Sequence, residues 1–316
     1  MFTTPSTRAV TRVLAALGLT LALAPSAHAA GFGPWSPAIN AETVPGTSDQ
    51  LNTQYQDGCP MQSPDGLSLY MASNRPRIPG GLPGDLDIWV AQRASTRDPW
   101  GPPENLGAPV NSASDDFCPT PVRGGGLFFV SRKVTPGVTC GMGDIYFARQ
   151  HPRGEWSEPQ HLGCGTEGGP NGPADEQGPS FVEAGGPQLY FSSGPDIFVS
   201  RQGGDGQFGP AVRVDEVNST TAVDIQPNVR KDGREMVFAS TRKAGVGQDL
   251  WSATREDVDD PWSEPVNLAE VNTPDNETRP SLSWDGETLY FGRGPAVGGP
   301  ADIYVAERDR EHGNGR

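Results

Sequence analysis

An aspartate, an aliphatic residue and an aromatic residue stand together five times in this chain. They are Asp87-Ile88-Trp89, Asp144-Ile145-Tyr146, Asp196-Ile197-Phe198, Asp249-Leu250-Trp251 and Asp302-Ile303-Tyr304, at intervals of 57, 52, 53 and 53 residues. Each step follows an apolar run, such as Leu69-Tyr70-Met71 or Leu289-Tyr290-Phe291. Ahead of each run lies Asp-Gly at 65–66, 232–233 and 285–286, or Gly-Gly at 124–125 and 185–186. Such dipeptides join neighbouring strands. A further strand is expected to open each repeat at Pro60, Pro119, Pro179, Pro227 or Pro280, and a fourth is marked by Trp35, Trp100, Trp156, Phe208 or Trp262. Four short strands per period describe a propeller blade rather than a helical solenoid. The chain is therefore expected to be all-β, a five-bladed β-propeller with four antiparallel strands per blade. Trp35 precedes the first complete set, so the N-terminal strand near Trp35 should close the ring and cover a sheet edge.

Residues 1–30 read as a secretory signal, with Arg8 and Arg12 before an apolar run from Val13 to Ala24 and a small-x-small step at Ala27-His28-Ala29. Residues 31–308 are then one propeller, and 309–316 a flexible tail. No later run is a membrane span, and the expected location is periplasmic or secreted. Losing Arg8 and Arg12 takes the net charge from −15 to −17. That charge makes nucleic acid a poor partner. Cys59 and Cys118 occupy equivalent positions in adjacent repeats, and Cys140 and Cys164 lie in loops on one face, so two disulfides with those pairings are expected in an oxidising compartment. The protein is expected to be a monomer.

The run Pro280-Ser281-Leu282-Ser283-Trp284-Asp285-Gly286, followed by Leu289-Tyr290-Phe291 and Ala301-Asp302-Ile303-Tyr304, resembles the TolB-type WD-like propeller repeats of exported bacterial proteins. The strand Trp262-Ser263-Glu264-Pro265-Val266-Asn267-Leu268 extends the resemblance, which covers essentially the whole chain after the leader. It implies a propeller that serves as an interaction platform, and says little about chemistry.

An acid stands three residues before each strand-opening proline: Asp57, Asp116, Glu176, Asp224 and Glu277. Arginines follow the second strand at Arg75, Arg132, Arg242 and Arg293, and Arg279 precedes Pro280. Together these are the candidate ligand-binding residues. A repeated acid is read first as scaffold, accepting hydrogen bonds from the neighbouring blade's loop amides, and the arginines as partners of Asp87, Asp144, Asp249 and Asp302, with Asp196 left without one. Function is expected to be the binding of an envelope or extracellular protein, peptide or glycan on the loop-rich face. The alternative is a carboxylate glycoside hydrolase using Asp57, Asp116 and Glu277, with Arg279 as a substrate clamp. No cofactor is called for, although Asp57, Asp116 and Asp224 could hold calcium. Histidine is too sparse for a Ser-His-Asp site.

Overall fold

The structure is a computed structural model that describes residues 1, 31–78, 80–243 and 247–311; the expected leader, apart from Met1, and the last five residues lie outside that range. Among the described residues, twenty strands form five sheets of four. Blade one is Asp57–Gln62, Ser68–Ser73, Asp87–Gln92 and Glu104–Asn105. Blade two is Asp116–Val122, Gly126–Ser131, Asp144–Arg149 and Gln160–His161. Blade three is Glu176–Val182, Gln188–Ser193, Asp196–Arg201 and Val212–Arg213. Blade four is Asp224–Val229, Glu235–Ser240, Asp249–Thr254 and Val266–Asn267. Blade five takes Asn276–Leu282, Thr288–Gly294 and Asp302–Glu307 from the end of the chain and Ile39–Asn40 from its beginning.

That last pairing, Ile39 with Val305 and Asn40 with Tyr304, closes the ring as the repeat order requires. The closing segment is anchored beyond its two strand residues. Phe32 bridges to Arg310, and the Arg308 guanidinium lies 4.1 Å from the ring centres of both Phe32 and Trp35. Its other side donates to Glu235 at 2.8 and 2.6 Å, joining blade five to blade four. The segment expected to be a tail is paired through Glu311, whose N–H donates to the Gly31 carbonyl.

Alternation along the strands puts the aromatic and aliphatic residues into the seams between blades. One cluster joins Leu69, Met71 and Trp89 of blade one to Tyr290, Ile303 and Val305 of blade five, and the others likewise join neighbours. Each seam is also clamped by an asparagine in the loop entering a blade. Asn52, Asn111, Asn171, Asn218 and Asn272 accept from the N–H of Ile303, Ile88, Ile145, Ile197 and Leu250, at 2.7–2.8 Å. Each returns its Nδ2–H to the carbonyl of the same residue. The side chain thus completes the third strand of the preceding blade.

The Asp-Gly turns differ in detail from the two-residue hairpin that the dipeptide suggests. Gly66 lies at φ 72° while Asp65 stays in the ordinary region, and the Gly66 N–H donates to the Ser63 carbonyl. This is a type I turn ending in a left-handed glycine. Asp65 Oδ1 holds it by accepting from Ser63 Oγ and the Leu67 amide.

Candidate functional site

Four inner strands begin at the acid and that of blade five one residue before it, not at the proline. The bonding to the second strand is interrupted between Gly58 and Met61, Phe117 and Thr120, Gln177 and Ser180, Ile225 and Asn228, and Thr278 and Ser281. Within each bulge one residue adopts a left-handed backbone: Cys59, Cys118, Gly178, Gln226 and Arg279, with φ between 49° and 57°. The following proline has no N–H to contribute to the ladder, so a bulge is where it fits. These residues and the prolines line the waist of the central channel, leaving about 20 Å³. On this measure a water needs roughly 10–15 Å³, so the waist admits a water and excludes a sugar. These five positions, cysteine in blades one and two and different in each of the other three, therefore form the floor of the mouth.

Two of them are joined, since Cys59 and Cys118 form a disulfide with Cα atoms 4.9 Å apart. The second disulfide, Cys140 to Cys164 with Cα atoms 5.7 Å apart, ties a loop of blade two to the loop entering blade three. His161 lies beside it, its Nε2 3.1 Å from Asp144 Oδ2. These three residues are the one group among the described residues whose potential metal-ligating atoms converge, and two of them are consumed by the disulfide. The carboxylates of Asp57, Asp116 and Asp224 do not form such a group in this structure.

All five strand-opening acids are fully buried. Their donors are amides of the loop that enters the acid's own blade, not the neighbouring blade's as expected, because that loop turns back over the strand four or five residues on: Thr53 for Asp57, Ser112 for Asp116, Gly172 for Glu176, Ser219 for Asp224 and Thr273 for Glu277. Burial raises the pKa of Asp116 and Glu277 above the usual carboxylate range and pushes Glu176 up to about 8.

The arginines pair differently from the expectation. Arg75 meets Asp57 at 2.5 Å, Arg242 meets Asp224 at 3.0 Å and Arg293 meets Glu277 at 2.8 Å. They fold back to the acid of the inner strand because loop carbonyls there accept their remaining N–H groups. Arg132 instead bridges Asp115 and Asp175 at 2.9 and 2.7 Å. The third-strand aspartates find other partners: Arg77 for Asp87, His161 for Asp144, Lys243 for Asp249 and Asn40 for Asp302. Asp196 is not left alone, since Arg213 of the outer strand reaches it at 2.9 Å.

Arg279 stands apart. Its backbone N–H donates to Gln226 Oε1, but its Nε is buried without a partner and it forms no ion pair among the described residues. Burial lowers its pKa, and Arg132 adds repulsion. Around it the mouth is polar, with Gln226 Nε2 donating to Gln177 Oε1, and Gln177 Nε2 to Asp175.

The loops of the same face carry a feature that the sequence reading missed. Ile78 and Leu82 of blade one, Val134 and Met142 of blade two and Val297 of blade five are 69–91% exposed. They stand on three consecutive blades of the ring, among the Gly and Pro residues of long loops. Large apolar residues in such loops were the available signal, because a loop has no core of its own to bury them.

No protein-family model matches the sequence, and no curated protein is significantly similar to it. Solved structures do share the architecture. An endo-arabinanase of glycoside hydrolase family GH43 from Bacillus licheniformis superposes with a TM-score of 0.56 at 13% identity, over 83% of this chain and 95% of that one. An endo-arabinase from Bacteroides thetaiotaomicron gives 0.54 at 15%, over 83% and 96%. A putative TolB from Agrobacterium tumefaciens gives 0.50 at 15%, over 89% and 90%. At these identities the likeness is one of fold: the chain is a five-bladed β-propeller of the architecture common to TolB and GH43 proteins.

Proposed function

We propose that this chain is a non-catalytic binding propeller of the periplasm or extracellular space, one domain following a cleaved leader. It engages a protein, peptide or glycan through the face on which the inner strands begin. The carrying observation is the crest of exposed apolar side chains on the loops of blades five, one and two, beside a mouth whose floor holds the unpaired Arg279. Apolar groups concentrated on one face gain free energy when a partner covers them, and a partly desolvated guanidinium without an acceptor favours a carboxylate or hydroxyl-rich ligand. The two disulfides fit an oxidising compartment. Among the described residues no helix is long and apolar enough to cross a membrane.

The test compares the wild type with Leu82→Ser/Met142→Ser/Val297→Ser on a glycan array and in capture from envelope and culture fractions. All three positions are exposed, so Tm should stay within about 2 °C. Ligands retained by the wild type and lost by the variant support the reading; identical retention overturns it.

A carboxylate glycosidase is the second reading, favoured by the fold shared with the two arabinanases and by Glu176, whose pKa burial pushes up to about 8, the direction that suits a general acid. Against it stands the burial of every strand-opening acid and the engagement of each by its own loop amide.

A further inference from the structure

Blades one, four and five each bury a guanidinium in the same slot. Arg75 lies 5.3 Å from the Trp89 ring centre and donates to Asp57 and to the Leu51 carbonyl, 3.0 Å away. Arg242 lies over Trp251, donates to the Val217 carbonyl and is ion-paired with Asp224, and Arg293 lies over Tyr304 and donates to Glu277 and the Val271 carbonyl. Each slot is therefore walled by a strand-opening acid, the carbonyl of the residue before the blade-clamping asparagine, and the third-strand aromatic.

Blade two builds the same walls from Asp116, Val110 and Tyr146, but none of its own cations enters. Arg132 turns away to Asp115 and Asp175. Lys133 holds the chain position of Arg75, two residues beyond the serine that ends the second strand, and its N–H reaches Ser131 Oγ as that of Arg75 reaches Ser73 Oγ, at 3.2 and 3.1 Å. Yet Lys133 is exposed and forms no ion pair with Asp116. Between the walls remains a cavity of about 50 Å³, bounded by Val110, Asp116, Ser131 and Tyr146 and reaching the exposed Lys133 and Glu158. At roughly 10–15 Å³ for each water-sized group, it accommodates about four heavy atoms, the number in a guanidinium.

The polar atoms of the cavity agree. Asp116 Oδ1 and the Tyr146 hydroxyl are buried without a hydrogen-bond partner, and Ser131 lines the cavity beside them. Where an arginine fills the slot, Asp57 Oδ1 accepts from Arg75 and Asp224 Oδ1 accepts from Ser240 Oγ beside Arg242, whereas Glu277 keeps Oε2 without a partner although Arg293 engages Oε1.

We propose that the blade-two slot receives a guanidinium from outside the chain, the arginine side chain of a bound polypeptide. A planar fork of N–H donors satisfies a carboxylate oxygen and a carbonyl together while its face covers an aromatic ring, which a spherical ammonium or a bare ion cannot do equally well. The net charge of −15 and Glu158 at the entrance favour a basic partner. A polypeptide is favoured over a free small cation because Val134, next to Lys133, is 76% exposed and offers apolar surface at the entrance. The inference gives the binding reading a partner chemistry, and rests on that reading only for the polypeptide.

The test is calorimetric titration with the peptides Gly-Gly-Arg-Gly-Gly and Gly-Gly-Lys-Gly-Gly and with methylguanidinium. The arginine peptide should bind at least tenfold more tightly than the lysine peptide, and more tightly than methylguanidinium. Lys133→Arg should fill the slot from within, raising Tm by about 2–4 °C and weakening the arginine peptide at least tenfold. Asp116→Asn should weaken it comparably, and Lys133→Arg keeps the test decisive if that variant fails to fold. Equal affinity for the two peptides, binding that survives in Lys133→Arg, or methylguanidinium binding as tightly as the arginine peptide would overturn the proposal. The triple loop variant should keep its affinity for methylguanidinium, so failure of the loop-crest reading and failure of the slot are told apart.

Discussion

Among the described residues, Glu176 has no arginine paired with it. Its carboxyl accepts from the Gly172 amide at 3.1 Å and from Ser193 Oγ at 2.8 Å, while Oε2 has no partner. Burial, with Asp144 and Asp175 nearby, outweighs those two bonds and raises the pKa from 4.5 to about 8. A raised pKa means that the folded state holds the proton more tightly than the unfolded chain. The stability this supplies is complete below pH 4.5 and is lost as pH rises through 8. Glu176→Gln should therefore flatten the stability profile between pH 5 and 8.5, gaining roughly 2–4 kcal/mol over the wild type at the alkaline end. Chemical denaturation at a series of pH values reads this directly, and parallel wild-type and variant profiles would refute it. Repetition revealed the position of this acid. Its protonation was hidden, because it depends on a missing arginine and on burial between strands that the sequence does not display.

At the scale of the element, the strands and turns were the most legible part. Alternation, Asp-Gly turns and the Asp-aliphatic-aromatic step all report on local backbone, and each marks a strand in the structure. The destination of the arginines was not legible, because Arg75, Arg242 and Arg293 are drawn back to the inner strand by loop carbonyls whose direction is set only once the blades assemble. The cation-lacking slot of blade two could have been noticed, since Lys133 interrupts the positions of Arg75 and Arg242. The asparagine clamp also left a signal, an asparagine five or six residues ahead of every strand-opening acid. Asn111→Ala would strand the N–H and C=O of Ile88 in a buried seam. An unsatisfied buried group costs about 1–3 kcal/mol, so a loss of about 2–4 kcal/mol in denaturant unfolding is expected. A loss below about 0.5 kcal/mol would mean that the seam is held by apolar packing alone.

For the whole molecule, closure is the organising event. Residues 31–40 join strands from the far end of the chain, and Arg308 lies against both aromatic residues of the closing segment while pairing with Glu235 of blade four. Trp35→Ala removes a buried aromatic from that junction and should cost about 3–5 kcal/mol, as for other large-to-small core changes. Thermal unfolding followed by near-ultraviolet circular dichroism would check it, and an unchanged Tm would show that the ring does not depend on its closing segment. The ring is shut and its waist narrowed to about 20 Å³. That leaves a choice between a surface that binds and a mouth that cleaves. The direct measurement is release of reducing ends from a panel of polysaccharides, arabinan included, by the purified protein and by Asp57→Asn/Asp116→Asn. The binding account predicts no release above the blank from either protein; release by the wild type that disappears in the variant would contradict it.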